Sequence, residues 1–284
     1  MRIRVLFVLL ICSLPLVAQR PAETQIRQWA EEAGQKMQDQ DFESARTLFT
    51  RIIEATRLQQ PDDYQYVYRR AVCWYYLNNM DAALADLDMF RSTMNHAPQP
   101  HVLRVFVYRQ LGQTRSEINT LNFLINLPGQ GQEEQAQYLR WRAAAYLNVN
   151  QYDSARSDLR TAFRSGEDAE SNGLLAFIQY RKGEMDSAMV ALNHAIELDY
   201  EYIPAYRYAA SFCQQEGNNE LALQYALLGL RVDPTNAGLT FVRGVALVEL
   251  GRIDEGCSCL NRAFYSGEED AGYYLDQYCY SDDN

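Results

Sequence analysis

The chain has 284 residues, 48% of them hydrophobic and 22% charged, with 26 Lys and Arg against 37 Asp and Glu and a net charge of −11. That balance argues against nucleic acid as a partner, because neutralising phosphates needs a surplus of Lys and Arg, and it disfavours anionic membrane surfaces. A chain this long buries a core without staples, and 6 cysteines are too few for a disulfide-framed miniprotein.

The first element is an export signal. Arg2 and Arg4 form a short basic start, Val5 to Leu16 run almost entirely apolar, and Leu16-Val17-Ala18 is a small-residue cleavage point. The apolar run falls short of the about 20 residues that span a bilayer, so residues 1–18 read as a cleaved signal peptide. Cys12 does not read as a lipoprotein cysteine, because Ile11 precedes it. The expected mature chain starts at Gln19, is exported to the periplasm or secreted, and enters no membrane after cleavage. Losing Arg2 and Arg4 leaves 24 basic side chains against 37 acidic ones, a net charge of −13.

From there on the sequence repeats. Ala33, Ala71, Val105, Ala143, Ala176, Ala210 and Gly244 form one column. Twelve residues further on stand Ala45, Ala83, Glu117, Ala155, Ala188, Ala222 and Gly256. A third column holds Phe49, Leu87, Leu121, Leu159, Leu192, Ala226 and Leu260, and a fourth Ile52, Phe90, Leu124, Ala162, Ala195, Gly229 and Ala263. All four share steps of 38, 34, 38, 33, 34 and 34 residues. Such a period marks a repeat architecture. The apolar residues recur at three and four within each unit, which predicts two helices per unit, and small residues belong where those helices cross. Between them stand Gln40, Asn78, Gly112, Asn150, Gly183, Gly217 and Gly251. Gly and Asn tolerate the left-handed conformation that ends a helix.

The stretch from Ile203 to Pro234 resembles a tetratricopeptide repeat, with Ala210, Gly217, Ala222 and the closing Asp233-Pro234 in the family's places. The unit around Gly183, Ala188 and Ala195 is similar, and the resemblance covers about residues 26 to 270. It implies an all-α fold: a solenoid of about seven helix-turn-helix repeats starting near residues 26, 64, 98, 136, 169, 203 and 237, occupying 19–284. A short capping helix is expected over 271–280, because a terminal repeat needs its apolar face covered. Glu117 departs from its column, and the expectation is looser packing or an outward tilt there. The two 38-residue steps place four extra residues near Leu58 to Asp63 and near Pro128 to Gln135, the second with loop composition in Pro128-Gly-Gln-Gly-Gln132.

Little in the sequence points to chemistry. His96, His101 and His194 are its only histidines, and no metalloprotease pair, phosphate loop or nucleophile elbow is present. No catalytic residue, cofactor or metal is expected, and the protein reads as a non-enzyme. Cys257 and Cys259 lie two apart on a helix and point to different sides of it. Buried free thiols are the favoured reading, a disulfide from one of them to Cys279 the next, and a metal site the last.

In the family the first helix of each repeat lines the concave face. The resemblance therefore implies a groove of Tyr68 and Tyr75, Phe106 and Arg109, Arg140 and Trp141, Phe177, Tyr180 and Arg181, Arg207 and Phe241. Aromatic residues and arginine anchor interfaces, although tyrosines of helical repeats also pack between units. No first helix carries the Lys followed four residues later by Asn that marks the family's carboxylate clamp for chaperone tails. The expected function is a non-catalytic interaction scaffold of the cell envelope that binds a protein or extended peptide. The alternative is a glycan or peptidoglycan-fragment binder that uses the same aromatic residues.

Overall fold

A computed structural model describes residues 23–92 and 97–280. The export signal, its cleavage point and the tail from Ser281 to Asn284 lie outside the described residues. Among the described residues there are 15 α-helices and no strand. They form an all-α solenoid of helix-turn-helix repeats closed by a short C-terminal helix.

The chain divides into two compact units between Val107 and Tyr108. The first holds α1 (Glu23–Gln38), α2 (Phe42–Thr56), α3 (Tyr64–Tyr76), α4 (Met80–Asp88) and most of α5 (Pro98–Gln110). The second holds α6 (Thr114–Ile125), α7 (Gln132–Asn148), α8 (Tyr152–Ala162), α9 (Ala169–Arg181) and α10 (Met185–Leu198). It continues with α11 (Ile203–Gln215), α12 (Asn219–Val232), α13 (Ala237–Glu249), α14 (Ile253–Tyr265) and α15 (Ala271–Tyr278).

The turns inside the repeats are alike. Gln40, Asn78, Gly112, Asn150, Gly183, Gly217 and Gly251 all have positive φ, between 57° and 80°. The residue after each donates its N–H five residues back, as in Asp41 to Lys36 at 2.8 Å and Asn218 to Cys213 at 2.8 Å. This Schellman closure satisfies carbonyls that a helix end otherwise leaves bare. Gln40 adopts the left-handed conformation without being Gly or Asn.

Within each unit, helix pairs bury their seams on the first helix of the next. In the first unit Ala33, Ala45, Phe49 and Ile52 pack with Cys73 of α3. In the second, Ala143, Ala155 and Leu159 pack with Leu174 and Ile178 of α9, and Ala176, Ala188 and Leu192 with Ala205 and Ala209 of α11. The alanines of the crossing columns have no exposed surface. At Gly256 an added Cβ would lie 2.5 Å from Val248 Cγ1 and 2.9 Å from the Gly244 carbonyl oxygen.

Three expectations need correcting. Glu117 does not tilt outward: its side chain is 2% exposed, and Arg109 Nε donates to its Oε1 at 2.8 Å. A buried carboxylate is tolerable because the arginine supplies both charge and donors. The second set of extra residues does not all lie in a loop. Gln132 already begins α7, which at 17 residues is longer than the 13-residue α9 or α11. The first set is taken up by a 3-10 turn at Pro61–Asp63.

The third correction concerns the cysteines. Cys257 and Cys279 form a disulfide, while Cys73, Cys213 and Cys259 are buried free thiols. Residues two apart on a helix point about 200° apart, so Cys257 faces α15 while Cys259 turns inward. Ala271 and Leu275 of α15 cover Val245, Val248, Leu260 and Ala263. The Tyr278 hydroxyl donates to Glu249 Oε1 at 2.5 Å, and that bond, with burial, pushes the phenol up to about 12.

These contacts set two expected outcomes. Gly256→Ala should cost about 1–3 kcal/mol, because the methyl group would meet backbone that cannot rotate away as well as the Val248 side chain. Glu117→Ala should destabilise by about 1–2 kcal/mol, because Arg109 loses its acceptor; Glu117→Gln should cost less. Denaturant unfolding checks both, and an unchanged or higher stability for Glu117→Ala would show the ion pair to be dispensable.

Candidate functional site

Three of the expected groove residues meet in the first unit. Tyr68, Tyr75 and Phe106 line an open cavity of about 350 Å³ together with Val72, Tyr76, Val102 and Leu103. Tyr68 and Tyr75 are seven apart on α3 and so share a face. Tyr68 meets Phe90 edge-on at 6.3 Å, and Tyr75 meets Tyr76 edge-on at 5.5 Å. Tyr76 is 60% exposed and stacks on Phe42 at 4.4 Å. It was not among the expected site residues. The tandem of tyrosines at the end of α3 is the signal that marks it.

In the second unit the aromatic residues pack largely on one another. Tyr180 stacks on Phe212 at 3.9 Å, and Phe177 tilts against Tyr208 at 5.8 Å and Phe212 at 6.3 Å. The Tyr180 hydroxyl donates to Gln215 Oε1 at 2.9 Å. Phe241 meets Tyr274 of the capping helix edge-on at 5.6 Å, and Trp141 tilts against Tyr138 at 5.7 Å.

The four expected arginines separate into two kinds. Arg181 and Arg207 are exposed, their guanidinium carbons 5.9 Å from the rings of Tyr152 and Tyr208. Arg109 is committed to Glu117. Arg140 is 5% exposed, and its fork is already held by the protein's own groups. It donates to Glu133 Oε1 and Gln137 Oε1 at 2.8 Å and to Asp168 Oδ2 at 3.2 Å, and lies 3.6 Å from Glu170. Glu133 comes from the extra first turn of α7. Arg140 is therefore not an open anion contact: the longer helix and the start of α9 together enclose it in carboxylates.

A second arginine arrangement recurs and was not foreseen. Arg70 donates to Asp86 through Nε at 2.8 Å and Nη2 at 2.7 Å, and its Nη1 reaches Thr50 at 3.3 Å. Arg142 does the same to Asp158 at 2.8 and 2.6 Å, and to Asn122 at 2.6 Å. The Asp158 hydrogen bonds raise the Arg142 pKa above its usual range. Each clasp ties both helices of a repeat to the second helix of the repeat before. The common offset of 16 residues from Arg to Asp was the available sequence signal.

The arginine–aspartate pair of each clasp falls in a segment that matches a family model. The tetratricopeptide repeat model matches residues 35–93 and 142–200. The chain carries tetratricopeptide repeats. Its fold is similar to that of a tetratricopeptide repeat protein from Parabacteroides merdae, with a TM-score of 0.77 at 16% identity over 89% of this chain and 98% of that one. It is also similar to the C-terminal part of a TPR repeat-containing protein from Cytophaga hutchinsonii, at a TM-score of 0.57, 16% identity and coverage of 85% and 97%. MamA from Desulfovibrio magneticus aligns at a TM-score of 0.55 and 13% identity, over 63% of this chain and 97% of that one. The sequence matches no curated protein.

Among the described residues, no three His, Cys, Asp or Glu side chains gather to hold a metal ion. No described helix is long and apolar enough to cross a membrane. Arg140→Ala should lower stability by about 1–3 kcal/mol, less than for a fully buried pair because its carboxylate partners keep some water. Arg207→Ala should stay within about 0.5 kcal/mol, as exposed sites do. Equal stability of the two variants in urea titrations would show that the carboxylates around Arg140 do not depend on it.

Proposed function

We propose that this protein is an exported, non-catalytic scaffold of the cell envelope that binds a protein or extended peptide through an apolar side chain seated among Tyr68, Tyr75 and Phe106. The observation that carries the reading is that these three, spaced over α3 and α5, line one open cavity of about 350 Å³. Its wall also holds the 60% exposed ring of Tyr76. Tyrosine supplies large contact area at low entropic cost, and such rings form the anchors of interfaces. Arg181 and Arg207 of the second unit, exposed over tyrosine rings, are the arginines available to acidic groups of a partner. Export rests on the basic, apolar and small-residue order of residues 1–18, and the disulfide supports it, since disulfides persist in oxidising compartments.

The test is selection of a displayed peptide library on the purified chain. Selected peptides should share an apolar or aromatic residue. Tyr68→Ala with Tyr75→Ala should weaken them at least about tenfold, or ~1.4 kcal/mol. Tyr265→Ala, far more exposed at 85% and outside the cavity, should leave binding unchanged. Binding through the cavity should persist at high salt, because an apolar contact is not screened. Selected peptides that ignore the tyrosine changes would refute the cavity. Retention on peptidoglycan fragments, lost with the same tyrosines, would favour the glycan reading. N-terminal sequencing of the native protein should find Gln19 first; Met1 would refute cleavage.

A further inference from the structure

The last repeat carries the arginine of the clasp without its acceptors. Arg243 stands one residue before the first-column Gly244, as Arg70 and Arg142 stand before Ala71 and Ala143. Sixteen residues on, where those repeats hold Asp86 and Asp158, this one has Cys259. The position that supplies Thr50 or Asn122 from the preceding repeat is here Leu227. Both oxygen acceptors are gone, replaced by a thiol, which accepts only weakly, and an apolar side chain.

The geometry bears this out. Arg243 Nε is buried with no hydrogen-bond partner, whereas Nε of Arg70 and of Arg142 each donates to its aspartate at 2.8 Å. Beside it lies an open cavity of about 450 Å³ lined by Arg243, Asp254, Glu255, Ser258, Cys259 and Arg262. Glu255 is not a substitute acceptor. Its carboxylate accepts from Arg252 at 2.8 and 2.6 Å, which holds it below the usual carboxylate range, with Arg243 adding a smaller push through space. Arg262 reaches only the Thr240 hydroxyl, at 3.4 Å. A buried guanidinium nitrogen without an acceptor is costly, and a planar fork matches a carboxylate with two parallel bonds.

We propose that this cavity binds an external carboxylate, which takes on Arg243 the place that Asp86 and Asp158 hold on Arg70 and Arg142. A carboxylate is favoured over a phosphate for two reasons. The two intact clasps are bidentate carboxylate pairs, and the cavity wall includes Asp254 and Glu255, which repel a doubly charged anion more than a singly charged one. Arg262 adds a second positive charge, and the Ser258 hydroxyl a donor. The carboxylate comes either from a small organic acid or from the end or side chain of a peptide. The site is independent of the tyrosine cavity and stands or falls without it.

The experiment uses the full chain and two probes: sodium acetate against sodium chloride at equal ionic strength, and a short Gly-Ala-Leu peptide with a free or an amidated C-terminus. Calorimetric titration and thermal unfolding read the binding. Wild type should be stabilised saturably by acetate or by the free-carboxylate peptide, and not by chloride or the amidated peptide. Response to acetate but not peptide assigns a small acid, and the reverse assigns a peptide end. Cys259→Asp supplies the missing carboxylate from within and should weaken the probe at least about tenfold. Arg243→Gln should do the same, so the result does not depend on one variant folding. Cys259→Ser keeps the cavity open and should bind as wild type does. Equal response to acetate and chloride with no peptide binding, or undiminished binding by Cys259→Asp, would overturn the proposal.

Discussion

Two helices can cross only as closely as the side chains between them allow, and everything else in this protein follows from how close that approach is. The crossing columns are alanine or glycine through most of the chain, and their alanines are wholly buried. Close crossing lets the larger residues of the neighbouring columns, such as Phe49, Leu87 and Leu192, reach the next repeat. It also explains why added bulk is so poorly placed: at Gly256 a methyl group would meet backbone as well as the Val248 side chain.

Apolar packing alone leaves the angle between successive repeats loosely specified, because dispersion contacts are not directional. The polar clasps supply direction. Arg70 and Arg142 each bind an aspartate on the partner helix and a hydroxyl or amide on the helix before. These pairs are largely buried, so their worth is in fixing geometry more than in net stability. Arg140 extends the same logic to an enclosure of three acidic residues, two of them at the start of α9. Arg109 and Glu117 show that even a crossing position accepts a carboxylate when an arginine reaches it.

The surfaces left for partners are what this internal pairing does not consume. Phe177, Tyr180, Tyr208 and Phe212 largely satisfy one another. Tyr68, Tyr75, Tyr76 and Phe106 instead leave space between them. Arg243 is the clasp arginine whose carboxylate has been replaced, and space opens beside it as well. In both places the candidate site is a position where the repeat's own packing is incomplete.

The sequence by itself determined the repeat. Its column spacing, its small residues at crossings and its left-handed turn positions are local or periodic properties, and each is written in residue type. All seven turn positions take positive φ, Gln40 included. It did not determine which charges are free. Arg109, Arg140, Arg181 and Arg207 look equivalent along the chain, yet two are committed to internal carboxylates and two are exposed. That choice depends on residues 7 to 28 positions away, such as Glu133 in the extra turn of α7 and Asp168 at the start of α9. The same holds for Cys257, whose pairing with Cys279 was one of several open readings until α15 was placed against α14. Periodicity fixes which face a residue occupies; only the packed neighbour decides whether its charge or thiol is already taken.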